Sequence, residues 1–219
     1  MRPLICCLLG LLLSSYARAA DSAPATTTAA PTDFFNGKDV PAWGYITTPP
    51  TDIAKVCTVT NGILAVAGKP TGYFVLPVTP TGNYTLHAEY RWTKDNPKNN
   101  GGVLVNISSG PVQQNLWPTC FQIQTKTQHA GDVIPMGGAK CAEVPTDKTQ
   151  RDLQAKVSEK PSGEWNGVEV TRKGDTLDCS VNGVVQNHVT QCVPASGKLG
   201  FQLEGYPYEL RHITLTPLP

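Results

Sequence analysis

Two glutamates lie on short segments in which apolar and polar residues alternate, and both are candidates for proton transfer. Glu89 shares the polar side of Asn83–Trp92 with Arg91, and Glu204 ends the segment Leu199–Glu204. A positioned carboxylate acts as a general base or accepts a hydrogen bond from a hydroxyl, and a guanidinium stabilises a developing anion. The alternative for Glu89 and Arg91 is a solvated surface ion pair worth less than about 1 kcal/mol.

Two amides and a loop histidine form a second group of candidates. Gln122 and Gln124 are two residues apart, so they lie on the same side of a strand. Amides suit ligand hydroxyls because each offers donors and acceptors. In the loop Gln128–Asp132, His129 is a candidate acid or base and, with Asp132, a candidate metal ligand. The alternatives are an exposed polar strand face and a merely exposed histidine.

The remaining candidates combine charges with aromatic rings. Glu164 precedes Trp165, a ring that either stacks on a ligand or belongs to the core. Trp117 and Tyr206 lie in proline-flanked loops, where their rings are available for stacking. Arg211 either binds a ligand or pins the last strand. The sequence has no G-x-S-x-G, HExxH or phosphate-loop motif, which disfavours the enzyme classes that use them.

The elements that position these residues are predicted to be strands. Asn83–Trp92 has the period of two that places one set of side chains on a core. Asn182-Gly183 between two alternating runs predicts a type I′ hairpin, and Asn61-Gly62 predicts another. Further strands are expected at Ile63–Val66, Tyr73–Val78, Gly102–Ile107, Phe121–Thr125 and Val168–Arg172. These patterns predict an all-β fold, an antiparallel two-sheet β-sandwich of the jelly-roll type.

Three irregularities accompany this pattern. The apolar residues of the last strand lie at even positions before Arg211-His212 and at odd positions after it. This change of parity predicts a bulge in that strand. Asp147–Lys160 is the one weak helix candidate, with a turn or two expected at most. In the hairpin around Asn182-Gly183, simple register places Cys179 opposite Gln186.

Composition excludes several classes of protein. Of 219 residues, 16% are charged, and 20 are Gly and 19 Pro, which argues against a coiled coil or helical bundle. Frequent apolar runs and a net charge of +1 argue against disorder and against a nucleic-acid partner.

The first residues are predicted to be processed. Residues 1–19 read as a signal peptide, with Arg2, an apolar run and the cleavage motif Ala17-Arg18-Ala19. Residues 20–32 form an Ala/Thr/Pro-rich tether, and residues 33–219 form the folded domain. The apolar run is too short to span a bilayer, so no membrane span is expected. The expected location is secreted or periplasmic.

Five cysteines remain after the signal peptide, which in an oxidising compartment predicts two disulfides and one free thiol. Cys120–Cys141 and Cys179–Cys192 are the expected pairs, although the sequence alone does not settle the connectivity. The absence of a C-x-x-C motif in the sequence disfavours a zinc site.

Six stretches in chain order resemble the 3-keto-disaccharide hydrolase domain family, which has a concanavalin- and laminarinase-like jelly roll. They are Phe34-Phe35-Asn36-Gly37-Lys38-Asp39-Val40-Pro41-Ala42-Trp43, Asn61-Gly62-Ile63-Leu64, Tyr84-Thr85-Leu86-His87-Ala88-Glu89-Tyr90-Arg91, Asn99-Asn100-Gly101-Gly102-Val103, Gly163-Glu164-Trp165-Asn166, and the tail from Ser196 through Ile213. The sequence departs from the family at Gln122, where a glutamate is expected, and at His212, where an asparagine is usual.

The resemblance implies an exported hydrolase or lyase that cleaves 3-keto-glycosides and binds a carbohydrate ligand. A ketone at C3 acidifies the C2 hydrogen, so a base removes it, the C1 group departs, and water then adds. This route implies Glu89, Glu204 and His129 as catalytic residues, with the other candidates binding substrate. The resemblance does not decide whether a divalent metal ion acts as a cofactor. The rival hypotheses are a non-catalytic carbohydrate-binding jelly roll of the cell envelope and a purely structural envelope domain.

Overall fold

The computed structural model describes residues 30–219, which fold into two antiparallel sheets. The predicted signal peptide and most of the predicted tether therefore lie outside the described residues. The strands are β1 (Thr32–Asp33), β2 (Gly44–Thr48), β3 (Cys57–Thr60), β4 (Ile63–Val66), β5 (Thr71–Val75), β6 (Tyr84–Trp92), β7 (Gly102–Gln113), β8 (Trp117–Gln124), β9 (Val133–Met136), β10 (Asn166–Lys173), β11 (Thr176–Val181), β12 (Val184–Val189), β13 (Lys198–Leu203) and β14 (Tyr208–Pro217).

The strands are divided between an eight-stranded and a six-stranded sheet. The first has the order β12-β11-β10-β6-β14-β4-β3, with β1 paired to β14, and the second has the order β2-β5-β13-β7-β8-β9. Thr32, at the end of the predicted tether, pairs with Leu215 in β14. The predicted antiparallel β-sandwich is confirmed, and its non-sequential strand order is that of a jelly roll rather than a meander.

The core lies between the two sheets and follows from the period-two pattern. In β6, Tyr84, Leu86, Ala88, Tyr90 and Trp92 are buried, and the residues between them are partly exposed. In β13, Leu199, Phe201 and Leu203 point into the same core. The alternation therefore sends Glu89 and Glu204 outward, each from its own sheet.

Turn chemistry sets the hairpins. Asn182 and Gly183 have φ values of 51° and 79°, and both are positive, as a type I′ turn requires. Asn61 and Gly62 have φ values of 51° and 77° between β3 and β4. Both predicted hairpins are thus present, with Val181 opposite Val184.

A bulge interrupts the last strand where the parity switch predicts it. His212 has a φ of 48°, and the register of β14 against β6 shifts between Arg211 and Thr214. A second bulge, between Cys179 and Ser180, was not predicted. It places Cys179 opposite Asn187, so the expected pairing with Gln186 is wrong.

The segment from 147 to 160 contains no helix, contrary to the expectation. Two side chains hold it instead: the carboxylate of Asp132, just before β9, accepts from the Leu153 N–H at 2.8 Å, and the amide of Gln186, in β12, donates to the Lys156 carbonyl at 3.0 Å. The one helical segment in the described part of the chain is a 3₁₀ turn at Ile53–Lys55. No helix within residues 30–219 is long and apolar enough to cross a membrane.

The predicted disulfides are absent, since Cys57, Cys120, Cys141, Cys179 and Cys192 are all free and buried. Cys120 packs with Trp117 and Met136 on the outer side of the six-stranded sheet, whereas Cys141 belongs to the core between the sheets. The sheet therefore separates the two members of the first expected pair. Cys179 lies within β11, and the backbone of Cys192 bonds to Asp175 before that strand begins, so this pair is not in register either.

Candidate functional site

Three buried glutamines lie on the outer side of the six-stranded sheet. Gln122 and Gln124 come from β8 and Gln202 from β13, and each is at most 6% exposed. The Gln122 amide donates to the Gln124 side chain and to the Gly101 carbonyl, and the Gln202 amide donates to Gln122 at 3.2 Å. The Gln202 side-chain oxygen has no partner. We call these residues, with Glu204 and Asn100, the glutamine face.

Glu204 lies at the edge of the glutamine face, two residues after Gln202 along the chain. Asn100, just before β7, donates its amide to the Glu204 carboxylate. Burial raises the pKa of Glu204, and the ammonium of Lys126 offsets only part of that effect. A carboxylate in this position is a stronger base than an exposed one. The side-chain oxygen of Asn100 is buried without a partner, which leaves a second acceptor beside it.

The loop after β8 carries His129 and Asp132. The Asp132 side chain is 1% exposed and faces His129 Nδ1 at 3.0 Å, while His129 is 45% exposed. Burial has the larger effect on the pKa of Asp132 and leaves that pKa above its usual value, although the hydrogen bonds from His129 and Leu153 lower it. Asp132 thus fixes the loop that begins at Lys126, and His129 faces solvent at the end of that loop.

Glu89, Arg91 and Arg211 lie elsewhere, on the outer side of the eight-stranded sheet. Arg91 pairs with Glu209, and Arg211 pairs with Glu89. We call this surface the charged face; its members are His87, Glu89, Arg91, Trp165, Glu169, Glu209, Arg211 and His212. The side chains of Glu89 and Glu209 are each more than three-quarters buried, and each carboxylate is neutralised by its arginine.

Trp165 completes the charged face. Its ring lies 4.6 Å from the Arg91 guanidinium carbon and 4.0 Å from that of Arg211. Both arginines are therefore occupied by a carboxylate and an aromatic ring at once, which is the geometry of a stabilising network. Glu164, beside Trp165, is exposed.

The two predicted aromatic contacts have different surroundings. Trp117 is 5% exposed, and its ring packs against that of Tyr73 at 6.3 Å on the outer side of the six-stranded sheet. Tyr206 is partly buried against the core. The expectation that both rings stand free in loops is corrected for Trp117, which is the first residue of β8 and packs in the apolar cluster of Cys120 and Met136.

The candidate residues therefore do not form one site. Glu89 and Glu204 lie on opposite outer surfaces of the sandwich, so a single ligand cannot contact both. Gln122, Gln124 and Glu204 do come together, and Arg91 and Arg211 share the other surface. Of these two surfaces, the glutamine face combines a carboxylate of raised pKa with amides that have unused acceptors, which is the composition that binds hydroxyls and moves a proton.

Sequence reasoning missed three residues of these surroundings. Gln202 is not among them, because the alternation along Leu199–Glu204 predicts that it lies on the same side as Glu204. Asn100 and Lys126 lie outside the alternating segments, so only the fold brings them to Glu204. Glu159 accepts from the Tyr90 hydroxyl at 3.2 Å and from the Gln128 N–H at 2.9 Å, and burial raises the pKa of this carboxyl.

The donor set does not fit a metal ion. Nowhere in residues 30–219 do three or more His, Cys, Asp or Glu side chains converge in a way that would hold one. The glutamine face holds one carboxylate, that of Glu204, among amides, which are weaker ligands for a divalent cation.

Comparisons with known proteins agree with this architecture. Residues 30–216 match the family described as 3-keto-alpha-glucoside-1,2-lyase-like domain. No curated protein is significantly similar in sequence. A candidate glycosyl hydrolase from Parabacteroides distasonis has a similar structure, with a TM-score of 0.63 at 18% identity over 86% of this chain and 94% of its own.

Two further solved structures share the fold at lower identity. The carbohydrate binding module CBM66 from Bacillus subtilis has a TM-score of 0.55 at 9% identity, covering 79% of this chain and 95% of its own. The β-glucanase of Bacillus licheniformis has a TM-score of 0.54 at 11% identity, covering 89% of this chain and 100% of its own. At these identities the likeness concerns the fold.

Proposed function

Because the chain belongs to the family of 3-keto-alpha-glucoside-1,2-lyase-like domains, we propose that its glutamine face binds a glycoside oxidised to a ketone at C3 and cleaves it by elimination. The observation that carries this proposal is Glu204, a carboxylate of raised pKa set among buried amides. The solved structures of similar fold include carbohydrate-binding and glycoside-cleaving proteins, which supports a carbohydrate ligand.

Each residue of the face has a role in this chemistry. Glu204 takes the C2 proton, which the C3 ketone acidifies, and the electron pair forms an enolate. The enolate then expels the C1 substituent, which takes up the proton that Glu204 now carries, and a C1=C2 double bond conjugated with the ketone remains. Addition of water returns a hydrogen to C2 and a hydroxyl to C1. The unpartnered side-chain oxygens of Gln202 and Asn100 accept hydrogen bonds from sugar hydroxyls, Gln122 holds Gln202 in place, and Lys126 stabilises the enolate charge.

Deuterium at C2 distinguishes this route from direct displacement at C1. The protein is incubated in D₂O with a 3-keto-disaccharide, and the released sugar is analysed by mass spectrometry and NMR. Elimination predicts either an unsaturated product or a 3-keto-sugar with one deuterium at C2. A released sugar that keeps its C2 hydrogen would contradict elimination, provided that the free 3-keto-sugar incubated alone in the same buffer shows no exchange.

A non-catalytic carbohydrate-binding role is the second candidate, and Gln122 favours it. An amide replaces the family's usual acid at this position, so the face has one carboxylate where two are usual. In this case the protein would bind the 3-keto-disaccharide, or the unoxidised disaccharide, without releasing product. Calorimetric binding combined with no turnover over a day would support the binding module against the enzyme.

We also propose that the chain is exported after cleavage behind Ala19. The proposal depends on the sequence pattern of residues 1–19, which lie outside the described residues. N-terminal sequencing of the protein recovered from the culture medium or the periplasm should begin at residue 20. Retention of residue 1 in that material would contradict it.

A further inference from the structure

Cys141 and Cys192 lie opposite each other in a short antiparallel pair outside the two sheets. Lys140 and Val193 exchange both backbone hydrogen bonds at 2.8 Å, so they form a hydrogen-bonded pair. The next residue on each strand is a cysteine, which makes Cys141 and Cys192 the adjacent non-hydrogen-bonded pair. In such a pair the side chains point to the same face and the Cα atoms are about 4.5 Å apart.

The pairing ends directly beyond the cysteines, because the Ala142 N–H donates to the Thr190 carbonyl at 2.9 Å and Gln191 has a φ of 54°, which shifts the register by one residue. Two bonds made by the cysteines themselves agree with the register of Lys140 and Val193. The Cys192 N–H donates to the Asp175 carbonyl at 2.9 Å, and the Cys141 carbonyl accepts from the Val144 N–H at 3.4 Å. Both groups therefore point away from the facing strand, as residues of a non-hydrogen-bonded pair must. On the far side of the pair, Glu143 bonds both the backbone and the hydroxyl of Thr190 at 2.8 Å, which holds the two segments together.

We propose that Cys141 and Cys192 form a disulfide when the protein folds in an oxidising compartment. The Cα separation of such a pair falls at the short end of the range that disulfides span, about 4.4–6.8 Å. Both thiols lose their protons and two electrons pass to a disulfide oxidant such as oxidised glutathione, which becomes two thiols. The other three cysteines of residues 30–219 remain reduced.

The positions of the other thiols favour this pair. Cys57 lies on β3 and Cys120 on the outer side of the six-stranded sheet, so neither faces Cys192. Cys179 is the other thiol near Cys192, but it lies within β11, whereas Cys192 bonds to Asp175 before that strand begins. Burial raises the pKa of Cys192 to about 12, with the Cys141 thiol adding to the effect. A thiol of that pKa reacts slowly once the fold is complete, so the bond forms during folding rather than afterwards.

Thiol counting tests the proposal without any variant. The full chain is refolded in a glutathione redox buffer, denatured in guanidinium with an alkylating reagent, and digested with trypsin. The expected result is three alkylated cysteines in residues 30–219 and a linked pair of peptides, 141–148 and 174–198. Because peptide 174–198 contains both Cys179 and Cys192, fragment spectra must show the alkyl group on Cys179.

Serine variants give an independent measurement. Cys141→Ser and Cys192→Ser each lose the linked peptide, and each lowers the Tm by about 10 °C, because the bond closes a loop of some fifty residues. The double variant is no less stable than either single variant, and Cys57→Ser keeps the linked peptide. Five alkylated cysteines, or a bond that joins Cys192 to Cys179, would overturn the proposal.

Discussion

Replacement of Glu204 by glutamine removes the proposed base and leaves its surroundings in place. Glutamine has nearly the same shape, and its side-chain oxygen still accepts the hydrogen bond from Asn100. The affinity for substrate should therefore change by less than about tenfold, because the hydrogen bond from Asn100, worth about 1 kcal/mol, is retained. Loss of a general base lowers kcat by about 10²- to 10⁴-fold, which corresponds to about 3–5 kcal/mol of activation free energy.

The same change has the opposite effect on stability. Burial raises the pKa of Glu204 above its unfolded value. The contribution of this group to stability is therefore fully present below the unfolded pKa and is lost as the pH rises through the folded pKa. At pH 7 the ionised carboxylate destabilises the fold, and the neutral amide does not. Glu204→Gln should unfold at a higher urea concentration than the parent protein at pH 7, and the two should converge near pH 4.

The assay combines turnover of a 3-keto-disaccharide with urea unfolding across pH 4–8. In the parent protein, kcat should rise with pH through the raised pKa of Glu204 and then become level. In Glu204→Gln that rising limb should be absent. The matched control is Glu89→Gln, which makes the same chemical change on the opposite surface.

Two outcomes would refute the assignment of Glu204. The first is a Glu204→Gln variant that retains activity within tenfold of the parent and keeps the same pH limb. The second is a loss of turnover in Glu89→Gln with normal turnover in Glu204→Gln, which would place the reaction on the charged face.

Three further predictions concern the two outer surfaces. Glu89→Gln should lower stability by about 1 kcal/mol at pH 7. Burial raises the pKa of Glu89, but hydrogen bonds from His212 and Arg211 outweigh it and leave the pKa below its usual value. The contribution of Glu89 to stability is therefore present above the unfolded pKa and lost as the pH falls through the folded pKa. The urea midpoints of parent and variant should converge at strongly acidic pH. A difference in midpoint that does not change with pH would contradict the ion pair. Trp165→Ala should cost about 1–2 kcal/mol by removing two cation–π contacts, with unchanged glycan binding by calorimetry; a loss of binding at unchanged stability would contradict a structural role. Gln122→Glu should raise turnover by restoring the family's acid and lower stability by about 1–3 kcal/mol, because it buries a charge among amides; a variant with no gain in rate would show that Gln122 is not what limits the reaction.

Much of the fold was open to prediction because local rules decide it. The alternation in β6 follows from one buried face, and the Asn182-Gly183 turn follows from the positive φ values that these residues tolerate. The bulge at His212 was visible as a change of parity. The bulge beside Cys179 was not, because no residue there is required to have an unusual conformation.

The candidate site was only partly predictable, for a physical reason. Alternation tells which side of its own strand Glu89 or Glu204 occupies, but not which sheet the strand joins. Assignment to a sheet depends on long-range pairing, such as β6 with β14 and β13 with β7. The sequence therefore does not place Glu89 and Glu204 relative to each other, and the fold puts them on opposite outer surfaces. Gln122 and Gln124 share one strand, so the period of two alone places them side by side.

The pairing of β1 with β14 also determines on which side of the sandwich the two ends of the described chain lie. Thr32 lies opposite Leu215, so the chain enters and leaves the described fold from the eight-stranded sheet. The glutamine face belongs to the other sheet and points away from both attachment points. A tag, bead or anchor joined at either of these points would leave that face open, so immobilised protein should keep the ligand affinity it has in solution.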